Sequence, residues 1–295
     1  MATPAYTRPM LPSDTFADRT LIVTGGGTGL GRSMAEYFMT LGARVAVCGR
    51  RREVVETAAK EMSAATGGDA LGLACDVRDA EQVEAFLEAV TARFGTVHGL
   101  VNNAAGNFVC PTERLSYNAI NTVVDIVLKG TYNCTLALGK RWIAAGTRGA
   151  MLSISTTYAW TGSGYVVPSA MAKAGALVLV RSLASEWGKY GIRLNAIAPG
   201  AFPTEGAWSR LRPAELGDAF DNIGRIPLGR VGEHQELSNL AAFLLSDFAG
   251  FITGTCVTID GGAWLRGAGQ FNHLEQVSSP QWDELQAAVK SRREK

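Results

Sequence analysis

The chain lacks a pronounced charge of either sign. Its 295 residues include 28 lysines and arginines against 27 aspartates and glutamates, which gives a net charge of +1. Because nucleic-acid-binding domains present strongly basic surfaces, this balance argues against nucleic acid as a partner. It does not exclude a local basic pocket for a smaller anionic ligand.

Long apolar runs and a secretory leader are also missing. No uninterrupted apolar run approaches the ~20 residues that a membrane-spanning helix needs. The first twenty residues contain neither a basic region nor an apolar stretch, so they do not resemble a secretory signal. We therefore expect a soluble cytoplasmic protein with no membrane partner.

Cysteine and histidine are scarce and dispersed. The five cysteines form no C-x-x-C pair and have no neighbouring histidine ligands, a pattern typical of free thiols in a reducing compartment. We predict no metal site, and we interpret all three histidines as structural. The residues concerned are Cys48, Cys75, Cys110, Cys134 and Cys256, with His98, His234 and His273.

Apolar strands alternate with helical segments along the chain, which is 47% hydrophobic. Continuous apolar runs indicate strands buried on both faces of a parallel sheet. The predicted strands are Leu21–Thr24, Arg44–Cys48, Ala70–Cys75, Leu100–Asn102, Ala150–Ser155, Arg193–Ala198 and Thr255–Ile259. Helical patterns between them include Ser33–Leu41, Arg52–Met62, Ala80–Phe94, Ala170–Trp187 and Gln235–Leu245. The alternation predicts an α/β fold: a Rossmann-type doubly wound parallel sheet of about seven strands, with helices on both faces.

We predict a single domain with short extensions at both ends. Residues 1–15 form an arm, residues 16–262 the Rossmann domain, and residues 263–295 a tail. Within the domain, residues 200–227 are rich in glycine, proline and polar residues and follow the carboxyl end of a strand. Ligands bind at that end of such sheets, so we predict a lid there. The end of the tail, Trp282–Lys295, suits a short helix without an assigned function.

A glycine-rich loop directly follows the first strand. It reads Thr24-Gly25-Gly26-Gly27-Thr28-Gly29-Leu30-Gly31 and leads into a helix. Glycines let the backbone approach a pyrophosphate, whose charge is then stabilised by the helix N-terminus. Its position within a βαβ unit predicts a dinucleotide site.

The end of the second strand indicates which dinucleotide binds. An acidic residue there would hold the ribose 2′-hydroxyl of NAD, but the chain reads Arg50-Arg51-Arg52. A guanidinium matches the 2′-phosphate of NADP in charge and geometry. We predict NADPH as cofactor, with Arg50 as the best candidate and Arg51 and Arg32 as weaker ones.

Several motifs in one order resemble the short-chain dehydrogenase/reductase family over residues 16–262. Beyond the glycine loop, they are Asp76-Val77, Asn103-Ala104-Ala105-Gly106, Pro199-Gly200, Thr204 and Asp260-Gly261-Gly262. The resemblance implies that Asp76 and Val77 lie at the adenine ring, and that Thr204 touches the nicotinamide or the phosphates. It also implies that Asn103, Ala104, Ala105, Pro199 and Gly200 line the cofactor site.

The chain departs from this family at its catalytic positions. Members usually carry a Tyr-x-x-x-Lys pair, and here Lys173 is present but Ser169 replaces the tyrosine. Val127 replaces the usual asparagine, and Thr156 replaces the usual serine. These changes argue against ordinary carbonyl reduction.

The departures resemble one branch of the family, the NADPH-dependent 2,4-dienoyl-CoA reductases. The matching segments are Asn102–Phe108, Pro111–Ser116, Thr156–Tyr158, Gly162–Gly164, Val166–Ala170 and Ala172–Gly175, together with the glycine loop. The resemblance implies that Tyr158 and Asn107 are catalytic and stabilise a dienolate oxygen, while Lys173 holds the ribose and Ser169 lies near the ring.

The same resemblance implies an acyl-CoA substrate, unsaturated fatty acid oxidation as its setting, and a homotetramer rather than a dimer. The predicted substrate-binding residues are Asn107, Phe108, Arg114, Tyr158, Ser169 and Arg210. A related enzyme that reduces 2-enoyl-CoA or a carbonyl is an alternative. A second alternative is an NADPH-binding sensor or scaffold without catalysis.

Overall fold

A computed structural model describes residues Pro9–Thr204, Gly206 and Ile223–Arg293. Seven strands form one sheet in which every neighbouring pair is parallel, with the order β3-β2-β1-β4-β5-β6-β7. The strands are β1 Thr20–Thr24, β2 Arg44–Gly49, β3 Ala70–Ala74, β4 Gly99–Asn102, β5 Gly149–Ile154, β6 Ile192–Pro199 and β7 Cys256–Ile259. The predicted fold class and all seven predicted strands are confirmed, with small shifts at the ends.

Helices cover both faces of the sheet. They are α1 Gly29–Thr40, α2 Arg52–Thr66, α3 Ala80–Phe94, α4 Tyr117–Val124, α5 Gly130–Ala145, α6 Tyr158–Thr161, α7 Val167–Trp187, α8 His234–Leu245, α9 Ala263–Ala268 and α10 Ser279–Arg293. One buried cluster joins α1, α2 and α8 to the sheet, and a second joins α3, α5 and α7 to it. The two clusters place the core on both sides of the strands, as the continuous apolar runs predict.

One long helical stretch was absent from the predicted helices. The π-helical segment Asp125–Lys129 joins α4 to α5, so the chain stays helical from Tyr117 to Ala145. A glycine within it allows close packing, since a Cβ at Gly139 would collide with the Trp187 ring. Such glycines lower helix propensity and weaken the sequence signal for the helix.

The apolar helix α7 also bears on the membrane question. With the short turn after it, Val167–Tyr190 spans 24 residues, and its most apolar 18-residue window has a mean hydropathy of 1.3. It is the one helix in the described ranges that could span a bilayer by length and composition. Charged residues such as Lys173 interrupt it, and 56% of its most apolar window is buried. That burial is typical of a core helix.

The tail forms more structure than the sequence indicated. After β7 come α9 and then α10, which extends the predicted terminal helix toward its N-terminus. The side chains of Leu285 and Val289 on α10 are exposed. Nearer the fold, Trp264 of α9 packs edge-to-face on Trp160 of α6, with ring centroids 5.7 Å apart. The tail therefore contacts the loop that follows β5.

Candidate active site

The glycine loop turns tightly after β1 and begins α1. Gly25 has a φ of +64°, a conformation that side-chain-bearing residues rarely adopt. A Cβ at Gly31 would lie 2.5 Å from both Gly25 O and Asn103 Nδ2, so only glycine fits there. Thr28 precedes α1 without a side-chain cap, and the first turn holds no acidic residue. The N–H groups of Gly27–Gly31 therefore suit an anionic ligand.

The β4 loop is fastened to the glycine loop. The Thr24 hydroxyl accepts hydrogen bonds from the backbone N–H groups of Asn103 and Ala104, each at 3.0 Å. The Asn103 amide donates in return to the carbonyl of Thr24 at 3.0 Å. These bonds hold the ends of β1 and β4 together. The predicted cofactor residues that follow the two strands, Thr24–Gly31 and Asn103–Ala105, therefore lie at one edge of the sheet, which we call the cofactor rim. Ala105 is exposed there.

The opposite wall of this rim comes from β6 and the segment that follows it. Gly200, after Pro199, donates to Ile259 O at 2.9 Å. A Cβ at Gly29 would lie 3.3 Å from the Thr204 methyl, so Thr204 rests on the start of α1. The sequence-predicted residues Gly29 and Thr204 are therefore direct neighbours.

The three arginines predicted to bind the 2′-phosphate differ in whether an acidic side chain already pairs with them. Arg50 and Arg51 are exposed. Arg32, a weaker candidate from the sequence, pairs with Glu61 at 2.7 Å and Glu36 at 3.3 Å. Because those carboxylates already occupy its guanidinium, Arg32 is the poorest of the three candidates.

The end of β3 holds the two residues predicted at the adenine ring. Arg78 binds both carboxylate oxygens of Asp76, and this hydrogen bonding lowers the pKa of Asp76. Val77 is buried, and its carbonyl accepts a bond from Asn133 at 2.9 Å. The Asp76 carboxylate is thus already paired with Arg78.

Three of the four predicted catalytic residues lie in one hydrogen-bonded chain. Asn107 Nδ2 donates to the Tyr158 hydroxyl at 3.3 Å, and that hydroxyl lies 3.2 Å from Ser169 Oγ. Phe108 fixes the orientation of the amide, because its backbone N–H donates to Asn107 Oδ1 at 2.9 Å. Ser169 is buried, whereas Tyr158 and Asn107 are half-buried and can meet a ligand.

The fourth, Lys173, lies one turn beyond Ser169 on α7. Its ammonium donates a hydrogen bond to the carbonyl of Ile154 at the end of β5. The side chain as a whole is half-buried, but its ammonium end is enclosed by protein. That desolvation lowers the pKa of Lys173 from 10.5 to about 8.

Two further predicted substrate residues follow Asn107 in the chain, and a third, Arg210, lies outside the described residues. Phe108 is half-buried next to Asn107. Arg114 is exposed in the 3-10 turn Thr112–Arg114. Arg210 and most of the predicted lid lie outside the described residues.

Comparison with known proteins identifies the family to which this chain belongs. Residues 25–263 match the family model described as enoyl-(acyl carrier protein) reductase. The chain belongs to the short-chain dehydrogenase/reductase family. It is an oxidoreductase that uses a nicotinamide cofactor, and the predicted resemblance is confirmed.

Several similar proteins are named as 2,4-dienoyl-CoA reductases, among them one from Caenorhabditis elegans and one from Bacillus subtilis. A Caenorhabditis elegans protein named probable 2,4-dienoyl-CoA reductase 3, (3E)-enoyl-CoA-producing, is 41% identical over 98% of this chain and 95% of its own. A Bacillus subtilis protein named probable 2,4-dienoyl-CoA reductase, (2E)-enoyl-CoA-producing, is 44% identical over 84% of this chain and 97% of its own. A short chain dehydrogenase from Bacillus anthracis has a crystal structure with a TM-score of 0.75 and 41% identity, covering 84% and 97% of the two chains.

One residue at the cofactor rim was not predicted to belong there. His234, interpreted from the sequence as structural, hydrogen-bonds both α1 and the segment after β6. Its sequence neighbours carry no motif, and the contacts join residues 31 and 201 positions away. Only the fold brings this histidine to the helix that begins at the glycine loop.

Proposed function

We propose that this enzyme reduces 2,4-dienoyl-CoA to 3-enoyl-CoA with NADPH. The observation that carries the proposal is the chain Asn107–Tyr158–Ser169, in which the hydroxyl of Tyr158 lies between an amide donor and a buried serine. The names of the relatives at 41% and 44% identity support the same reaction.

The hydrogen-bond chain suits an oxygen that gains charge far from the site of hydride addition. Asn107 donates to the Tyr158 oxygen, and the Ser169 hydroxyl can donate to it as well. When both of those groups donate to the Tyr158 oxygen, the hydroxyl proton of Tyr158 is free to form a hydrogen bond with a bound substrate. The second N–H of Asn107 is a further donor. Together they form an oxyanion hole for a thioester oxygen.

The reaction balances as a hydride and a proton added across the conjugated diene. NADPH supplies the hydride, which goes to C5 of the substrate. The C4=C5 electrons then form a new C3=C4 double bond, the C2=C3 electrons form a C1=C2 double bond, and the π electrons of the C1=O bond move onto the thioester oxygen. Tyr158 and Asn107 stabilise that dienolate oxygen until a proton from water reaches C2, which gives the 3-enoyl product.

The proposed cofactor site divides into three parts. The first turn of α1 receives the pyrophosphate, and its uncapped N–H groups fit that charge. Lys173 hydrogen-bonds the nicotinamide ribose and orients the ring. Arg50 binds the 2′-phosphate. The proposed contact residues of the loops are Thr24, Gly25, Gly27, Thr28, Gly29, Leu30, Gly31, Arg51, Asp76, Val77, Asn103, Ala104, Ala105, Pro199, Gly200 and Thr204.

Replacing Arg50 should separate NADPH from NADH binding. We expect Arg50→Ala to weaken NADPH about 10- to 100-fold, because a charge-assisted bond contributes roughly 1.5–3 kcal/mol. Binding of NADH, which lacks the 2′-phosphate, should change less than threefold. Titration of both nucleotides by calorimetry measures this, with Arg52→Ala as the matched control because Arg52 pairs with Glu56. Equal losses for both nucleotides would contradict the phosphate role.

Activity with three thioesters tests the proposed reaction. Purified protein is given NADPH with a 2,4-dienoyl-CoA, a 2-enoyl-CoA or a 3-ketoacyl-CoA of equal chain length, and oxidation of the nucleotide is followed by its absorbance. We expect turnover of the diene only. Turnover confined to the enoyl thioester would favour the second candidate, 2-enoyl reduction, which the description of the matching family model supports. Turnover of only the keto thioester would identify a carbonyl reductase, and NADPH binding without any turnover a sensor or scaffold.

The position of the product double bond tests the proton step. The two relatives differ here, one being named for a (3E)-enoyl product and the other for a (2E)-enoyl product. Nuclear magnetic resonance of the product distinguishes them, and we expect the 3-enoyl thioester. A 2-enoyl product would place protonation at C4 instead, while leaving the hydride step to C5 unchanged.

We further propose how the protein binds CoA and assembles. In this proposal, Arg114, which is exposed and follows the Asn107 segment in the chain, binds the CoA phosphates together with Arg210. Self-association as a homotetramer is supported by exposed apolar residues on two helices, Tyr132 of α5 with Met171 and Val178 of α7. Its proposed setting is unsaturated fatty acid oxidation in the cytoplasm.

A further inference from the structure

His234 connects two parts of the cofactor rim that are far apart in sequence. It is the first residue of α8, and its Nε2 lies 2.7 Å from the carbonyl oxygen of Pro203. Its Nδ1 lies 2.8 Å from the hydroxyl of Ser33 on α1. A single half-buried ring thus contacts the segment after β6 and the helix that begins at the glycine loop.

The two contacts determine where the ring carries its proton. Because the carbonyl of Pro203 can only accept, Nε2 of His234 must be the protonated nitrogen that donates to it. In a ring with one proton, Nδ1 is an acceptor, and the Ser33 hydroxyl 2.8 Å away shares its single proton between Nδ1 and the carbonyl of Gly29 at 3.2 Å. The Pro203 carbonyl therefore fixes the tautomer of His234, and the contact with Ser33 helps to hold the orientation of the ring.

The residue that follows Pro203, Thr204, is one of those predicted to touch the cofactor. Thr204 rests on Gly29, the first residue of α1, at a distance of 3.3 Å between its methyl and a Cβ built on Gly29. The same segment is held a second time, because Gly232 donates its backbone N–H to Ala201 O at 2.9 Å. The position of Thr204 over the glycine loop therefore depends on the residues at and before the start of α8.

The start of α8, which carries His234, is held by several hydrogen bonds and an ion pair. Glu233 and Glu236 form a capping box at the start of α8. Arg230 binds both carboxylate oxygens of Glu236 at 2.7 and 2.8 Å. A side chain on a fixed backbone holds its hydrogen-bond partners more closely in place than one on a mobile loop.

We propose that His234 is a positioning residue that holds Pro203 and Thr204 against the glycine loop and thereby tightens binding of the nicotinamide nucleotide. It touches neither substrate nor cofactor, and acts through Thr204. The inference rests on the nucleotide-binding part of the proposed function only. It does not depend on which thioester is the substrate.

Three substitutions of His234 separate its two hydrogen bonds. His234→Ala removes both, and we expect the nucleotide Kd to rise about tenfold. His234→Gln places an amide N–H near the position of Nε2 and should restore most of the affinity. His234→Asn reaches only toward Ser33 and should bind as weakly as the alanine variant. At saturating nucleotide, kcat should stay within about threefold of the wild type, because the oxyanion donors are untouched.

A second pair of variants tests whether Ser33 acts through His234. Ser33→Ala should raise the Kd less than His234→Ala does, and the double variant should bind no more weakly than His234→Ala alone. His98→Ala is the matched control, since His98 Nδ1 accepts a bond from Thr20 N at the opposite end of β1. It should lower the melting temperature without changing the Kd.

Each outcome of the titration, made with NADPH and NADH in parallel, has one meaning. A Kd for His234→Ala within twofold of the wild type would overturn the positioning role alone. Equal losses of affinity and of melting temperature in the alanine and glutamine variants would also overturn it, because they would mark a purely structural histidine. A wild-type protein that binds neither nucleotide would reject the proposed function, and this inference with it.

Discussion

Tyr158→Phe should lower kcat by about 10²- to 10³-fold, because this is the usual consequence of losing one oxyanion donor. The substitution removes the only proton that the Tyr158 side chain can donate and leaves the ring in place. Asn107 and Ser169 then lose their common hydrogen-bond partner. Binding of NADPH should stay within about twofold of the wild type, since none of the proposed nucleotide contacts comes from the tyrosine. Stopped-flow turnover of a 2,4-dienoyl-CoA measures kcat, and calorimetry measures NADPH binding.

A matched tyrosine at the far end of α7 controls for the loss of a hydroxyl. Tyr190 is exposed in the 3-10 turn Gly188–Tyr190, before β6 begins and away from the carboxyl ends of the strands. Tyr190→Phe should leave both kcat and NADPH binding unchanged. If Tyr158→Phe retained turnover within threefold of the wild type, the donor pair would have to be sought elsewhere in the site.

The fold could be read from the sequence because its signals are local. Each strand is a short apolar run between turn residues, and the order of strands and helices allows few arrangements other than a doubly wound sheet. The glycine loop likewise combines a turn, a close approach and a helix start within eight residues, Thr24 to Gly31. Such features depend on neighbours in the chain, so they survive without knowledge of the tertiary structure.

The side-chain partnerships of the candidate site could be predicted only where the family pattern supplied long-range information. The proximity of Asn107 and Tyr158, 51 positions apart, followed from the resemblance and not from their spacing. The ion pair between Arg32 and Glu61 joins two helices, and no local pattern indicates it. The contacts of His234 have the same character. Side-chain partnerships between separate elements depend on packing, which the sequence does not display directly.

Lys173→Met should lower kcat/KM by about 10²- to 10⁴-fold, because the proposed ribose contacts amount to two charge-assisted hydrogen bonds of roughly 1.5–3 kcal/mol each. Methionine has a similar length and fits an enclosed position, so the fold should be retained. Steady-state kinetics with the dienoyl substrate measure the loss. Lys189→Met, on an exposed lysine after α7, is the control and should leave kcat/KM unchanged.

The same substitution should also change how stability without nucleotide depends on pH. Enclosure lowers the pKa of Lys173 from 10.5 in the unfolded chain to about 8 in the folded protein. Below about pH 8 both states hold the proton, and the full cost of enclosing the cation is present. Between these values the unfolded state binds more protons, so the free energy of unfolding rises with pH. Relative to Lys173→Met, the wild type should gain on the order of 3 kcal/mol across this window. Urea unfolding of both proteins from pH 7 to 10.5 measures the difference, and a difference independent of pH would contradict an enclosed ammonium.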